Sequence, residues 1–263
     1  MKRARRVAAA IVAPALLLTA CSGDDSDNAD ATGVPASPFA GEAPANETAN
    51  LDAEPFDVSG PRTDQLPERV DCTYDRAGNS ARPVSLPPDS AIPATGVISA
   101  RIELREGVVE LSLDRAKSPC AVNSFVSLAE QDYFTSTICH RLTTRGIFTL
   151  QCGDPTGTGT GGPGYAFANE FPTDQLAADS GEAEVTTVYP RGTVAMRDQG
   201  TGNNGSQFFI VYDDSPLPPV YTVFGTVDDG LSLIEDIAAE GTTPEHQGAP
   251  RQTVQIMSIQ IGS

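Results

Sequence analysis

The sequence has no Trp, two Lys and two His among its 263 residues. Lys and Arg together number 17, against 35 Asp and Glu, so the net charge is −18 at neutral pH. Nucleic-acid-binding proteins depend on clustered cations that displace the counterions of the phosphate backbone. The scarcity of cations therefore argues against a nucleic-acid partner.

Several motifs of catalysis and metal binding are also absent. Ser206 lies outside the G-x-S-x-G motif of hydrolases. Cys139, His140 and Cys152 lack the usual spacing of zinc ligands, and the neighbours Cys139 and His140 would point to opposite faces of a strand, so we expect no metal site. Residues 157–162 fit G-x-G-x-x-G, but a Pro and a Gly follow where a helix would have to begin, so we expect no dinucleotide site.

Charge and hydropathy divide the chain into three regions, of which the first resembles an export signal. Residues 1–20 hold four cations, no acid and an apolar stretch that is too short to span a bilayer. The string Leu18-Thr19-Ala20-Cys21 resembles the bacterial lipobox, in which the Cys carries the lipid. We therefore expect an exported protein that Cys21 anchors to the outer face of the bacterial cell membrane. An ordinary secretory signal beside a chance Cys is the alternative.

The second and third regions differ in their capacity to form a core. Residues 21–93 are acidic and rich in Pro, with few large apolar side chains, which predicts a disordered, solvated tether. Residues 94–263 contain the alternating apolar patterns of a folded domain.

The pattern of the third region predicts eight short strands and two helices. Pro119 fits the first turn of one helix, with Ser118 as its N-cap, and Leu231 and Ile234 lie on one side of the other. The predicted strands are 97–104, 108–113, 138–143, 147–152, 193–196, 207–212, 221–227 and 254–261. We expect a mainly β fold, a closed eight-stranded antiparallel β-barrel capped by two α-helices.

Two groups of strings in this region resemble one family, the cyclophilins, which are peptidyl-prolyl cis-trans isomerases. Residues 139–142 (CHRL) and 151–154 (QCGD) are similar to the family's F-H-R-[IVL] and Q-G-G-D. Residues 204–210 (NGSQFFI) match its N-G-S-Q-F-F-I letter for letter. Shorter matches occur in the family's order at 123–125, 159–162, 192–196 and 223–227.

The resemblance implies an activity and a site. Arg141 falls on the catalytic Arg of the family, which donates a hydrogen bond to the prolyl nitrogen of the twisted X-Pro amide. The positions implied to bind substrate are Phe148, Gln151, Gln207, Phe209, Leu217, Tyr221, Asp198 and Gly159. The resemblance implies Pro-containing segments of exported proteins as substrates, no cofactor or metal, and a monomer. A non-catalytic Pro-peptide-binding module or chaperone on the cell surface is the alternative.

The chain departs from the family at several of these places. Nine residues separate Arg141 from Gln151 where well-known members have seven, so the position of Phe148 could slip by one. Residues 197–199 (RDQ) replace a small, Asn-containing stretch, and the family's common Trp is missing. These departures bear on specificity more than on the reaction.

Four cysteines remain once Cys21 is assigned to lipid. Cys72, Cys120, Cys139 and Cys152 allow three pairings into two disulfides, and four buried free thiols are the alternative. Arg141 and Gln151 are expected to share one face of the sheet. Cys139 would then lie on that face and Cys152 on the opposite face, so a Cys139–Cys152 bridge needs a bulge or a register break. We expect one bridge to tie the segment before the domain to the domain.

Overall fold

A computed structural model describes residues 55–176, 182–198 and 202–262. The predicted signal segment and Cys21 lie outside these residues. Within them, no helix is long and apolar enough to span a membrane. The two helices are α1 (Pro119–Glu130) and α2 (Leu231–Ala239), and short 3-10 turns occur at Thr173–Gln175 and Glu182–Glu184.

Most of the remaining elements are short strands. In chain order they are β1 (Arg69–Val70), β2 (Asp75–Arg76), β3 (Ile92–Pro93), β4 (Val97–Leu104), β5 (Val108–Asp114), β6 (Thr137–Ile138), β7 (Arg141–Arg145), β8 (Ile147–Cys152), β9 (Tyr165–Ala168), β10 (Thr187–Tyr189), β11 (Thr193–Asp198), β12 (Asn203–Val211), β13 (Ser215–Leu217), β14 (Val223–Asp229), β15 (Thr242–Thr243), β16 (Gln247–Pro250) and β17 (Gln255–Ile261). The expectation of a mainly β fold with two helices is confirmed.

The main sheet is antiparallel, and its strands are not arranged in chain order. Its path is β15-β16-β7-β8-β12-β11-β14-β5-β4-β17-β6, and β9 pairs with β12 and β2. Two further pairs, β1-β3 and β10-β13, lie outside this path. The predicted strands 97–104 and 147–152 have the predicted bounds.

The core lies between one face of the main sheet and the two helices. Strand alternation turns every second residue of β4 and β5 inward, as with Leu104 and Leu111. Phe125 of α1 packs its ring against those of Phe208 and Phe224, with centroids 5.4 and 5.3 Å apart. We call the inner side of these strands the core face.

Helix α1 begins as predicted but is capped by a different residue. The Ser118 hydroxyl donates to the carbonyl of Val223 (2.8 Å) and makes no cap hydrogen bond. Instead the carboxylate of Glu170 accepts the backbone N–H groups of Cys120 and Ala121, at 3.0 and 2.8 Å. This distant carboxylate satisfies two N–H groups that have no partner within the helix.

The strand expected at residues 138–143 is interrupted at Cys139 and His140. β6 ends before this pair and joins β17, whereas β7 begins after it and joins β8. The interruption is the register break that a Cys139–Cys152 bridge needs, and the structure contains this disulfide. Both cysteines are buried in the core.

The tether expected at residues 21–93 is not disordered over its described part. Residues 55–93 pack on the domain: Cys72 forms a disulfide with Cys120 of α1, and Tyr74, whose ring is buried, donates to the carbonyl of Cys120 at 2.9 Å. Arg62 forms an ion pair with Asp174. These long-range contacts offset an ordering entropy that local composition alone would leave uncompensated. The expected bridge between this segment and the domain is confirmed.

Candidate active site

A row of side chains crosses four neighbouring strands on the face opposite the core. In β7 and β8, Arg141 lies opposite Gln151, and in β8 and β12, Gln151 lies opposite Phe209. Phe209 in turn lies opposite Ala195 of β11. Residues directly opposite in an antiparallel pair share a face, so these four side chains form one row, which we call the site face. The sequence-predicted Arg141, Gln151 and Phe209 are thus brought together.

Gln151 and Gln207 connect this row to the loop between β8 and β9. The amide of Gln151 donates to Oε1 of Gln207 at 3.1 Å. The Gln207 amide then donates to the carbonyl oxygens of Gly159 and Gly161, at 3.0 and 2.8 Å. Gln207 is buried, so its donors and acceptor are used to fix the loop beside the row.

The carboxylate of Asp154 also fixes this loop by hydrogen bonds. Its carboxylate accepts the N–H groups of Thr156, Gly159 and Gly161, at 2.7, 2.7 and 3.0 Å. Burial raises its pKa, but hydrogen bonds from Thr156 and from these backbone groups outweigh burial, and the pKa lies below its usual value. A Cβ at position 161 would lie 2.1 Å from Oδ1 of Asp154, so only Gly fits there.

The matched string at residues 204–210 is explained by its contacts. The Asn204 amide donates to the carbonyl of Ala168 and to Thr222. The Ser206 hydroxyl donates to the carbonyl of Gly153 at 2.7 Å. Gly153 has φ +91°, and a Cβ there would lie 2.3 Å from the carbonyl oxygen of Ser206. The string therefore joins β12 to β9 and to the end of β8.

Tyr221 contacts the row, whereas Leu217 lies in the separate β10-β13 pair. Leu217 is buried and pairs with Thr187 between β10 and β13. The ring of Tyr221 lies edge-on to Phe209, with centroids 5.4 Å apart. Burial raises the pKa of Tyr221 to about 12. The main chain of Tyr221 is held by the hydroxyl of Tyr189, which donates to its carbonyl at 3.2 Å.

Two arginines supply the positive charge of the site. Burial and the nearby charge of Arg197 lower the pKa of Arg141 to about 10, so Arg141 remains charged at neutral pH. Arg197, in β11, donates to the carbonyl of Gly159 over 3.4 Å. His140 lies under the same loop, and burial lowers its pKa to about 4, so its ring is neutral at pH 7.

Comparison with known proteins identifies the family of this arrangement. The sequence model of the cyclophilin-type peptidyl-prolyl cis-trans isomerases matches residues 99–261, which include every residue of the site. The chain belongs to this family.

Relatives and solved structures of the cyclophilin family agree with this assignment. Proteins named probable peptidyl-prolyl cis-trans isomerase B from Mycobacterium tuberculosis and Mycobacterium leprae are both 47% identical, over 72% and 73% of this chain. The matched segments span 63% and 67% of those proteins. A crystal structure of a cyclophilin-type isomerase from Cryptosporidium parvum is 30% identical with a TM-score of 0.51, covering 64% of this chain and 99% of that one.

The mycobacterial similarity is longer than the family match. It covers 195 residues, so it includes residues before position 99. The segment that packs on the cyclophilin domain is therefore partly shared with these relatives.

Phe148 is not on the site face with the other predicted residues. β7 and β8 pair in regular register, so alternation places Phe148 on the core face with Leu150, away from Gln151. Its ring contacts that of Tyr212 at 5.9 Å, and its N–H donates to Ser215. The structure thus places Phe148 off the row of Arg141, Gln151 and Phe209, and its expected contact with the substrate stays a prediction. Thr149 occupies the site face instead.

Asp198 and Gly159 lie at the site as expected, and their supports were not foreseen. The Asn169 amide donates to Oδ2 of Asp198 at 3.0 Å and to the carbonyl of Val220 at 2.9 Å. Neither Asn169 nor Arg197 was among the predicted site residues. The departure of residues 197–199 from the cyclophilin pattern was the available signal for Arg197, whereas no local signal marks Asn169.

Proposed function

We propose that this protein is an active peptidyl-prolyl cis-trans isomerase that acts on Pro-containing segments of exported proteins. The observation that carries the proposal is the row of Arg141, Gln151 and Phe209 on one face, with the cation at its end. The names of the mycobacterial relatives support it. All of the groups that the reaction needs are side chains of the chain itself.

The reaction needs only a donor that prefers the twisted amide. Amide conjugation sets a barrier of about 18–20 kcal/mol to rotation of the X-Pro bond. When the bond is twisted, conjugation is lost and the prolyl nitrogen becomes a hydrogen-bond acceptor. The charged guanidinium of Arg141 then stabilises the twisted state more than either planar isomer, which lowers the barrier.

The rest of the site would hold the substrate on both sides of that bond. We assign the pyrrolidine ring to the apolar side chains of Phe209 and Leu217. Both are buried, so the assignment requires a covering side chain to move, and the Tyr221 ring, which contacts Phe209, is the candidate. We assign peptide N–H groups of the substrate to the loop carbonyls around Gly159 and to the carboxylate of Asp198.

We propose that the main sheet closes into an eight-stranded barrel, which fixes the site face. β6 pairs with β17 at one end of the path and β7 pairs with β8 near the other end. Only Cys139 and His140 separate β6 from β7, so one interrupted strand reaches both ends. Together with β4, β5, β8, β11, β12, β14 and β17 it makes eight.

We propose that the protein is exported and held at the outer face of the cell membrane by a lipid on Cys21. The support is the basic and apolar character of residues 1–20 and the lipobox-like string that ends at Cys21. Of the tether expected at residues 21–93, residues 21–54 lie outside the described part of the chain, and residues 55–93 pack on the domain. Mass spectrometry of the membrane-extracted protein tests this: the expected N-terminal peptide begins at a lipidated Cys21.

Substitution of Arg141 tests the proposed activity. Arg141→Ala should reduce the isomerisation rate of an X-Pro peptide by about two to three orders of magnitude, the loss expected for one such donor. NMR exchange spectroscopy on the cis and trans signals measures the rate, and a peptide titration measures binding. Arg145→Ala is the matched control, because Arg145 lies on the same strand and is exposed.

Two outcomes would overturn the proposal. If the unsubstituted protein binds the peptide without accelerating exchange, it is a non-catalytic Pro-peptide-binding module. If Arg141→Ala loses binding and rate in equal proportion, Arg141 serves ground-state binding and not the twisted amide.

A further inference from the structure

The site carries a second cation, Arg197, for which the proposed reaction has no use. Its guanidinium reaches the carbonyl of Gly159, which also accepts from Gln207, so Arg197 lies at the edge of the substrate site. The hydrogen bond is 3.4 Å long, at the limit of a useful contact. Arg197 is half-buried, so its charge is partly removed from water. It lies beside the proposed binding site of the substrate peptide.

Nearby carboxylates do not neutralise Arg197 by contact. Asp154 is occupied by the loop N–H groups, and Asp198 accepts from Asn169. Both attract Arg197 electrostatically. The ion pairs formed among the described residues, however, do not include Arg197. A planar fork of donors is therefore available to a ligand.

The charge around Arg197 favours an anion over a neutral or cationic group. Arg141 lies near enough for the charge of Arg197 to act on it, so two positive groups face one small region. The carboxylates of Asp154 and Asp198 lie in the same region, but they already accept N–H groups from the loop and from Asn169. An anionic side chain that reaches this place would relieve the repulsion between the two cations.

We propose that Arg197 is a specificity residue that binds an Asp or Glu side chain of the substrate close to the isomerised proline. Arg binds carboxylates through two parallel hydrogen bonds. Arg197 is two residues from Ala195, which lies opposite Phe209, and because the register shifts between Met196 and Asp198 the two are at most about 7 Å apart along the strand. An extended peptide covers that distance in about two residues, so the acidic residue lies within three residues of the proline.

The inference rests on the proposed function, and a peptide series separates the two. The peptides are blocked at both ends, contain one Pro, and carry Glu, Gln or Lys at one position up to three residues before or after it. Exchange rates and dissociation constants are measured by NMR at one ionic strength with the full chain, Arg197→Gln, Arg197→Lys and Arg101→Gln. Arg101 is exposed and paired with Glu110 on β5, far from the site in the sheet order, so it is the control.

We expect kcat/KM for the best Glu peptide to exceed that of its Gln counterpart about five- to tenfold, as for one charge-assisted hydrogen bond. The gain should appear mainly in KM and in the dissociation constant. Arg197→Gln should reduce it to below about twofold, Arg197→Lys should keep part of it, and Arg101→Gln should leave it unchanged.

Equal affinities for Glu and Gln peptides at every position overturn the inference, as does a Glu preference that survives Arg197→Gln. Failure of the proposed function has a different signature, because the Gln peptide is then bound without faster exchange. In that case the dissociation constants alone still decide whether Arg197 selects an acidic residue.

Discussion

The two faces of β8 and β12 differ in how they use burial. On the core face, Leu150 and Phe208 are buried among apolar side chains. On the site face, Gln151 and Gln207 are equally buried, yet both are hydrogen-bonded to each other. A buried amide without hydrogen-bond partners would destabilise the fold. The buried amides of the site face find these partners in each other and in the loop, which they fix in place. Neighbouring residues on one strand thus serve stability on one side and substrate geometry on the other.

The adjacent residues Phe208 and Phe209 offer the most direct test of this difference between the core face and the site face. Phe208→Ala should lower the free energy of unfolding by about 3–5 kcal/mol, because it leaves a cavity against Phe125 and Phe134. Phe209→Ala removes a contact with Tyr221 on the site face. It should lower the free energy of unfolding less and the isomerisation rate more. Urea unfolding and NMR exchange measure the two quantities.

The comparison of faces fails if both variants change stability and rate in the same ratio. Phe224→Ala serves as the second core variant, since its ring also packs on Phe125. It should resemble Phe208→Ala in both measurements.

Sequence patterns predicted the strands well where a single alternation decides the structure. β4 has the predicted bounds because buried and exposed residues alternate along most of it. β8 does not alternate, but Gly146 and Gly153 bound it on either side. Arg141, Gln151, Gln207 and Phe209 were found through the strings that resemble cyclophilins, and the structure brings them together. Periodicity alone would have left each as an ordinary strand residue.

What the sequence did not predict depends on contacts between distant residues. The segment 55–93 looked disordered because its few apolar residues cannot form a core alone, yet Tyr74 and Cys72 are buried against α1. The cap by Glu170 spans 50 residues of sequence and has no local signature. The string matches left the position of Phe148 open, because a longer turn separates Arg141 from Gln151.

The Cys72–Cys120 disulfide allows stability to be changed far from the site face. The bridge closes a separation of 48 residues, so its loss in Cys72→Ala/Cys120→Ala should lower the free energy of unfolding by about 2–4 kcal/mol. Below the unfolding transition the isomerisation rate should stay within about twofold of the unsubstituted value. A rate loss in the folded variant would show that the packed segment supports the site.

Glu170 offers a third test of the comparison, because it is a partly buried carboxylate that is not on the site face. Its oxygens accept two N–H groups at the start of α1. Burial raises the pKa of Glu170 from 4.5 to about 7, since removal from water penalises the charged form more than these hydrogen bonds favour it.

The raised pKa of Glu170 makes stability fall with rising pH. Between pH 4.5 and 7 the folded protein holds a proton that the unfolded chain has released, so the free energy of unfolding declines through this window. A shift of this size corresponds to about 3 kcal/mol. His140 acts in the opposite direction, because burial lowers its pKa from 6.5 to about 4. Its contribution to the free energy of unfolding is therefore lost as pH falls through this range.

Glu170→Gln isolates the carboxylate from these other groups. The amide keeps one acceptor for the helix N–H groups but does not titrate, so the variant should lose the decline between pH 4.5 and 7. The difference between the two proteins cancels the contribution of His140, which both contain. Urea unfolding at pH 5, 6, 7 and 8 measures it: the variant should gain stability relative to the unsubstituted protein as pH rises, and level off above pH 7. Parallel profiles would mean that Glu170 releases its proton as readily in the folded protein as in the unfolded chain.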